Sequence, residues 1–320
     1  MKEIGIMDIG GFKVGHAQNA EAATGCTVLL LDEMSPVGAD VRGGGPASRE
    51  TQVISPLAHA EAINAILLSG GSAFGLDAAG GVMKYLSERG IGFETGVAKV
   101  PLVSQSCLFD LGVGRADVRP DAQMAYEACK NASCNAPEEG SAGAGIGCSV
   151  GKYRGMDRAM KAGFGTYAIE VGPFQVGALV AVNALGDIYE DGKQIAGLLN
   201  AEKTGLSNTL CELFSDVEAA AALTNANTTL GIIVTNAKMT KTQLTKAAGM
   251  AHNGYARAIR PVHTMADGDT VYAVSTGSIP GDVNLIGSMA AYVMEKAIVR
   301  AVKGAKSAYG LKGFSELNMM

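Results

Sequence analysis

The strongest constraint on the fold is a pair of apolar runs, each followed by a long amphipathic helix. Residues 230–235 and 270–275 are predicted strands, and their unbroken apolar character indicates burial on both faces. Residues 241–259 and 283–305 are predicted helices, because their apolar residues recur at three- and four-residue spacing. The apolar face that these residues form on each helix must pack against a sheet. The pattern therefore predicts an α/β (α+β) protein with four layers in the order α-β-β-α.

Other elements follow from the same periodicities. Further strands are predicted at residues 26–31, 166–171 and 175–182, and further helices at residues 58–68, 76–88 and 122–131. Gly172 and Pro173 predict a turn between two strands, which favours antiparallel pairing, and Asp282 is a predicted N-cap. Glycine-rich turns are spread along the chain and no linker or repeat divides it. A single domain over residues 1–320 is expected.

Composition argues against several classes of partner. The chain has 26 basic and 31 acidic residues and a net charge of -5. No cluster of Lys and Arg could follow a phosphate backbone, so nucleic acid is not an expected partner. No apolar run approaches the length of a membrane span, and the first residues lack the apolar core of a signal peptide. A cytoplasmic protein without a membrane partner is expected.

The cysteines and histidines do not follow a metal-binding pattern. No Cys-x-x-Cys, His-x-x-x-His or His-Glu-x-x-His spacing occurs, and the glycine-rich segment 140–147 matches neither common phosphate-binding motif. Neither a metal nor another cofactor is expected. The cysteines are expected to be small buried residues in a reducing compartment. They are Cys26, Cys107, Cys129, Cys134, Cys148 and Cys211.

The segment Asn227-Thr228-Thr229 places a hydroxyl nucleophile at the start of a buried strand. A threonine there can attack the carbonyl of the residue before it and free itself as a new N-terminus. Its α-amine, with a reference pKa of about 7.7–8.0, could then act as the base. Two threonines that simply begin a strand are the alternative. The lack of a credible Ser-His-Asp set in the sequence favours the catalytic interpretation.

Three polar residues at predicted strand ends could serve such a nucleophile. Asp267 and Asp269 flank Gly268 just before the strand at residues 270–275. They either form a turn, or they hold an ammonium group or orient the nucleophile. Asn183 follows an apolar run and is either a strand-end amide or a donor toward a developing oxyanion. The sequence pattern leaves these alternatives open.

Short segments spread over the whole chain carry a specific resemblance. They are DIGGFKVGH at 8–16, DVRGG at 40–44, GGSAFGLD at 70–77, FDLG at 109–112, EG at 139–140, NT at 227–228 and AVST at 273–276. Through them the chain resembles the self-processing aminopeptidases typified by L-aminopeptidase D-amidase/D-esterase and the β-peptidyl aminopeptidases. This resemblance implies a fold like that of N-terminal-nucleophile hydrolases, with its own strand order. It also implies cleavage between Asn227 and Thr228 into chains of residues 1–227 and 228–320.

Roles for individual residues are also implied by the resemblance. Thr228 would be the nucleophile, its amine the base and Asn183 an oxyanion donor. Asp269 would orient the amine or the nucleophile, and Glu139 would bind the ammonium group of the substrate. Asp267 stands where some members carry serine, and Asp269 where they carry glutamate.

The resulting hypothesis is an aminopeptidase or amidase that releases N-terminal residues from short peptides or amino-acid amides through an acyl-enzyme. Two alternatives stay open. One is an acyltransferase of the ornithine-acetyltransferase type, which passes the acyl group to an amine. The other is an uncleaved, non-catalytic binding protein. The resemblance also implies a homo-oligomer, a tetramer of cleaved heterodimers.

Overall fold

The computed structural model describes residues 1–216 and 227–317. The strands are β1 (Lys2–Ile4), β2 (Phe12–Asn19), β3 (Thr24–Ser35), β4 (Val37–Val41), β5 (Ala47–Arg49), β6 (Ile63–Ser69), β7 (Phe93–Glu94), β8 (Lys99–Val100), β9 (Val103–Cys107), β10 (Ser149–Val150), β11 (Met160–Lys161), β12 (Phe164–Val171), β13 (Phe174–Ala181), β14 (Asp187–Glu190), β15 (Lys193–Ala196), β16 (Leu230–Lys238), β17 (Ile259–Arg260) and β18 (Thr270–Pro280). The helices are α1 (Ala79–Ser87), α2 (Ala122–Asn131), α3 (Thr209–Ser215), α4 (Lys241–Ala258), α5 (Val283–Gly304) and α6 (Phe314–Leu317).

Two large sheets form the middle of the molecule. One has the strand order β1-β12-β13-β16-β18-β4, and the other has the order β2-β3-β6-β9-β5. Helices α4 and α5 pack on the outer face of the first sheet, and α1 and α2 pack on the outer face of the second. The layers therefore run α-β-β-α, as predicted. A smaller sheet, β15-β14-β17, pairs residues 187–196 with the segment that directly follows α4.

Alternation along the strands divides the apolar side chains between two cores. On β3, Leu29 belongs to the large core between the sheets, whereas Val28 belongs to the core under α1 and α2. Ile232 on β16 reaches the large core from the opposite sheet. Because successive side chains of a strand point to opposite faces, each sheet can serve two layers at once. This explains why the strands are apolar throughout.

Most of the predicted elements are confirmed within a few residues, but the helix predicted at residues 58–68 is wrong. Residues 63–69 form β6, which pairs with β3 on one side and β9 on the other and is buried along its whole length. A short apolar run in the middle of a sheet cannot be told from a buried helix by periodicity alone. The N-cap at Asp282 is confirmed, since its side chain accepts the N–H groups of Asn284 and Leu285.

The expectation of buried cysteines holds for four of the six. Cys134 and Cys211 are exposed, and none of the six forms a disulfide. Residue type alone indicated burial. Cys211, however, lies in α3, in which Thr209 is the only buried residue, and Cys134 follows the end of α2. Among the helices of residues 1–216 and 227–317, none is long and apolar enough to cross a membrane.

Candidate active site

Strand pairing brings the predicted nucleophile and the two aspartates together. Strands β16 and β18 are parallel, with Leu230 opposite Thr270, so the residues before each strand also lie side by side. An isolated bridge pairs Asn227 with Asp267. On the other side, β13 is antiparallel to β16. This pairing places the carbonyl of Asn183 2.8 Å from the N–H of Thr228.

Thr228 is buried and joined to Asn227 in the uncleaved chain, with only 3% of its surface exposed. Its hydroxyl donates a hydrogen bond to the carbonyl oxygen of Asn227. The same carbonyl oxygen accepts the N–H of Gly268 at 2.9 Å. The hydroxyl thus lies against the carbonyl that it would attack. A backbone donor is already in place where negative charge would develop.

Gly268 also lies in this group, although the sequence pattern did not single it out. A Cβ atom built on it would lie 2.6 Å from Oγ1 of Thr228 and 2.9 Å from the carbonyl oxygen of Gly45. The backbone can pass this close to the Thr228 side chain only because residue 268 has no side chain. The Asp-Gly-Asp sequence suggested a turn. The N–H of Gly268 faces Asn227 only because β16 pairs with β18.

Asn183 is completely buried and has its side-chain oxygen saturated by donors. Oδ1 accepts hydrogen bonds from Nζ of Lys152 at 2.7 Å and from the N–H of Ser149 at 3.1 Å. Nδ2 donates to the carbonyl oxygen of Phe109 at 2.7 Å. An amide nitrogen carries two hydrogens, and among residues 1–216 and 227–317 only one of those on Nδ2 has a hydrogen-bond partner. The oxyanion role of Asn183 remains a prediction compatible with this geometry.

Lys152 is a second residue that sequence reasoning missed. Its Nζ lies 2.7 Å from Oδ1 and 3.1 Å from the carbonyl oxygen of Asn183. Burial lowers the pKa of Lys152 to about 7, and nearby acidic groups, first the Cys148 thiol, oppose this shift only in part. A lysine with such a pKa is partly neutral at neutral pH and can accept a proton. No spacing or motif distinguishes it from the surface lysines.

The two aspartates are buried and have different partners. Oδ2 of Asp267 accepts the N–H and hydroxyl of Thr264, at 2.9 and 2.6 Å. Oδ1 of Asp269 accepts the N–H of Thr229 at 2.8 Å, and its Oδ2 lies 2.9 Å from Nδ1 of His263. Burial raises the pKa of Asp267 to about 6, and the neighbouring Asp269 adds to this shift. Asp269 is thus the acid that holds Thr229, the residue after Thr228.

Glu139 lies apart from this group. Its Oε1 accepts the N–H and hydroxyl of Thr166, at 2.7 and 2.6 Å. Thr166 is on β12, which β13 separates from β16. The structure therefore brings four predicted site residues together, namely Thr228, Asn183, Asp267 and Asp269. Binding of a substrate ammonium group by Glu139 remains a prediction. Across the described parts of the chain, no group of three or more His, Cys, Asp or Glu side chains is placed to hold a metal ion.

Comparison with known sequences yields matches over nearly the full chain. The sequence pattern of Peptidase family S58 matches residues 5–315. An uncharacterized aminopeptidase of Mycobacterium tuberculosis is 33% identical over 98% of this chain and 97% of its own length. A 6-aminohexanoate-oligomer endohydrolase of a Kocuria species is 32% identical over 92% of this chain and 85% of its own length.

Solved structures share the fold. A β-aminopeptidase of a Burkholderia species superposes with a TM-score of 0.75 at 19% identity, over 98% of this chain and 92% of that one. An L-aminopeptidase D-Ala-esterase/amidase of Ochrobactrum anthropi superposes with a TM-score of 0.72 at 17% identity, over 94% and 86%. The latter is described as a new variant of the Ntn hydrolase fold. The fold predicted from the sequence is thereby confirmed.

Proposed function

The chain belongs to peptidase family S58, and from that premise we propose an aminopeptidase or amidase that matures by cutting itself between Asn227 and Thr228. The observation that carries this proposal is the hydroxyl of Thr228, which lies against the carbonyl of Asn227 while Gly268 donates to that carbonyl oxygen. Oγ1 loses its proton and attacks the carbonyl carbon, and the peptide C–N bond breaks as the leaving nitrogen takes up a proton. Water then hydrolyses the resulting ester. The products are a carboxylate on Asn227 and a free amine on Thr228.

The first cut needs a base other than this amine. Before cleavage the nitrogen of Thr228 is a peptide nitrogen and cannot accept the hydroxyl proton. Lys152 is the best candidate, because its Nζ binds the same Asn183 carbonyl that accepts the N–H of Thr228. With a pKa of about 7, a large fraction of this amine is neutral at physiological pH. We therefore assign Lys152 as the base for maturation.

Later turnovers use the amine of Thr228 as the base. The hydroxyl attacks the amide carbonyl of a substrate, and an acyl-enzyme forms as the amine product leaves. The N–H of Gly268 and the remaining Nδ2 hydrogen of Asn183 stabilise the oxyanion. Water then releases the acyl group. Membership in a peptidase family favours water over an amine as the acceptor, and so favours hydrolysis over the acyltransferase alternative.

The proposed substrates are short peptides and amino-acid amides with a free amino group. Asp267 and Asp269 are buried beside the nucleophile, and Glu139 would pair with the ammonium group. One relative is named for 6-aminohexanoate oligomers, in which the amino group lies far from the amide carbonyl. We therefore include ω-amino-acid amides among the candidate substrates of this chain.

The test combines the mass of the purified protein with an assay on amino-acid p-nitroanilides. We expect two fragments, residues 1–227 and 228–320, the second beginning Thr228-Thr229-Leu230. We also expect nitroaniline release that added amines such as ornithine do not accelerate. A folded, uncleaved and inactive chain would contradict the proposal and favour a binding protein. Acceleration by amines would favour the acyltransferase.

Replacing Gly268 with alanine is expected to slow maturation while leaving the chain folded. The new methyl group would lie 2.6 Å from Oγ1 of Thr228 and must displace the hydroxyl from the Asn227 carbonyl. Since a misplacement of about 1 Å can cost about 10²-fold in rate, self-cleavage should slow by about that factor. The measurement is the fraction of full-length chain against time after synthesis.

The matched control for this substitution is Gly80→Ala. Gly80 lies in α1, and a Cβ there would meet only the Ala122 side chain at 3.9 Å. This variant is expected to mature at the normal rate. If Gly268→Ala matured as fast as Gly80→Ala, the close packing of residue 268 against the nucleophile would have no functional meaning.

A further inference from the structure

His263 binds the carboxylate that holds the residue after the nucleophile. Its backbone N–H lies 3.2 Å and its ring Nδ1 2.9 Å from Oδ2 of Asp269. Oδ1 of the same carboxylate accepts the N–H of Thr229 at 2.8 Å. An ionised carboxylate only accepts hydrogen bonds, so Nδ1 is the donor. His263 also has a φ of +59°, in the left-handed region that side chains rarely adopt. This backbone conformation lets both of its donors reach one oxygen.

Tyr255 holds the other side of Thr229. Its hydroxyl donates to the carbonyl oxygen of Thr229 at 3.2 Å, and its ring stacks on His263 with 5.7 Å between centroids and 25° between planes. His252 packs edge-on against His263, with 4.6 Å between centroids. His263 is therefore in contact with the carboxylate that binds the N–H of Thr229 and with the tyrosine that binds its carbonyl oxygen. The N–H of Thr270 donates to the same carbonyl oxygen at 3.2 Å.

We propose that His263 is a positioning residue for the threonine centre. By binding Asp269 and packing on Tyr255, it fixes the peptide groups on both sides of Thr229 and through them the hydroxyl of Thr228. It is not a catalytic residue, because it touches Thr228 only through Asp269 and Thr229. The inference rests on the proposed function, since it requires Thr228 to be the nucleophile.

The precursor and the mature enzyme depend to different degrees on the contact between His263 and Asp269. Before cleavage, Thr228 is tied to Asn227, whose carbonyl is itself held by the N–H of Gly268. After cleavage that link is gone, and the bond from Thr228 to the Asn183 carbonyl and the bonds of Thr229 alone orient the nucleophile. Loss of His263 should therefore impair turnover far more than maturation.

The first test is His263→Phe, which keeps an aromatic ring beside Tyr255 and loses the bond from Nδ1. We expect maturation within about threefold of wild type and a fall in kcat of about 30- to 100-fold at nearly unchanged KM, as for a misplacement of about 1 Å. His263→Asn is the conservative variant. Asparagine tolerates the left-handed region and carries an N–H donor, so kcat should recover by about tenfold. If His263 only filled space, the smaller asparagine would not restore kcat.

If His263→Phe does not fold, a second pair of variants tests whether the contacts around Thr229 position the nucleophile. Tyr255→Phe removes the hydroxyl that holds Thr229. Tyr272→Phe removes an equally buried hydroxyl that binds Ser106 at 2.7 Å instead. We expect kcat to fall by about tenfold in the first and by less than about twofold in the second, as for one lost hydrogen bond at the site.

Three results would overturn the proposal. They are wild-type kcat in His263→Phe, equal losses in His263→Phe and His263→Asn, and equal kcat in Tyr255→Phe and Tyr272→Phe. Wild-type protein in the same assay distinguishes failure of the proposed function from failure of the role of His263. If wild type neither cuts itself nor hydrolyses amides, the proposed function fails and this inference fails with it. If wild type is active and the variants are normal, only the role of His263 fails.

Discussion

Replacing Thr228 with valine is expected to leave the 320-residue chain whole and without amide hydrolase activity. Valine keeps the β-branched shape, so the start of β16 should still pack, and only the hydroxyl is lost. Without Oγ1 no ester can form at Asn227, and without cleavage no N-terminal amine appears. We expect a loss of about 10⁴-fold or more in kcat, as for removal of a covalent nucleophile. The readouts are intact mass and nitroaniline release.

The adjacent threonine provides the control. The hydroxyl of Thr229 is buried and, within the described part of the chain, has no hydrogen-bond partner. Thr229→Val is thus expected to mature and turn over close to the wild-type rate, because the backbone contacts of residue 229 are kept. Thr228→Ser keeps a hydroxyl and is expected to cleave. A Thr228→Val chain that still split between residues 227 and 228 would exclude Thr228 as the nucleophile.

Lys152→Met is expected to slow maturation by about 10²- to 10⁴-fold, the usual contribution of a general base. Methionine has a similar length but no amine, so the fold should persist. The pH dependence gives a sharper test. Because burial lowers the pKa of Lys152 to about 7, the neutral amine becomes more abundant as the pH rises. Wild-type maturation should accelerate through pH 7 and level off above it, and this step should vanish in the variant.

Lys161 is the matched control for Lys152. Like Lys152 it is buried, and burial lowers the pKa of Lys161 to about 8. Its Nζ donates to the carbonyl oxygens of Gly145, Cys148 and Ala162, rather than to Asn183. Lys161→Met is expected to reduce stability, since three buried carbonyls lose their donor, but to keep the step near pH 7. The base would be misassigned if the step survived in Lys152→Met.

Several features of the fold could be predicted because their causes are local. The stripes of α4 and α5 follow from spacing within one helix, and Asp282 caps α5 by binding N–H groups two and three residues away. The helix predicted at residues 58–68 failed because burial on both faces removes the alternation that marks a strand. Its true state depends on β3 and β9, which lie at a distance in sequence.

Some residues of the candidate site could likewise be predicted from the sequence, and others could not. Thr228 and the pair of aspartates could be singled out because hydroxyl and carboxylate groups stand at the starts of apolar strands. The N–H of Gly268, the amine of Lys152 and the ring of His263 could not. Gly268 and Lys152 matter through partners far along the chain, Asn227 and Asn183. His263 binds Asp269, which is six residues away, but this contact matters only because Asp269 also binds the distant Thr229.

The sequence by itself therefore determined the periodicities, the caps and the residue types available for chemistry, because these depend on neighbours within a turn or a strand. Tertiary structure alone decided which of those groups meet. The parallel pairing of β16 with β18 puts the Asp267–Asp269 segment beside Thr228, and burial lowers the pKa of Lys152. Both effects come from contacts and desolvation that arise only when distant segments pack together.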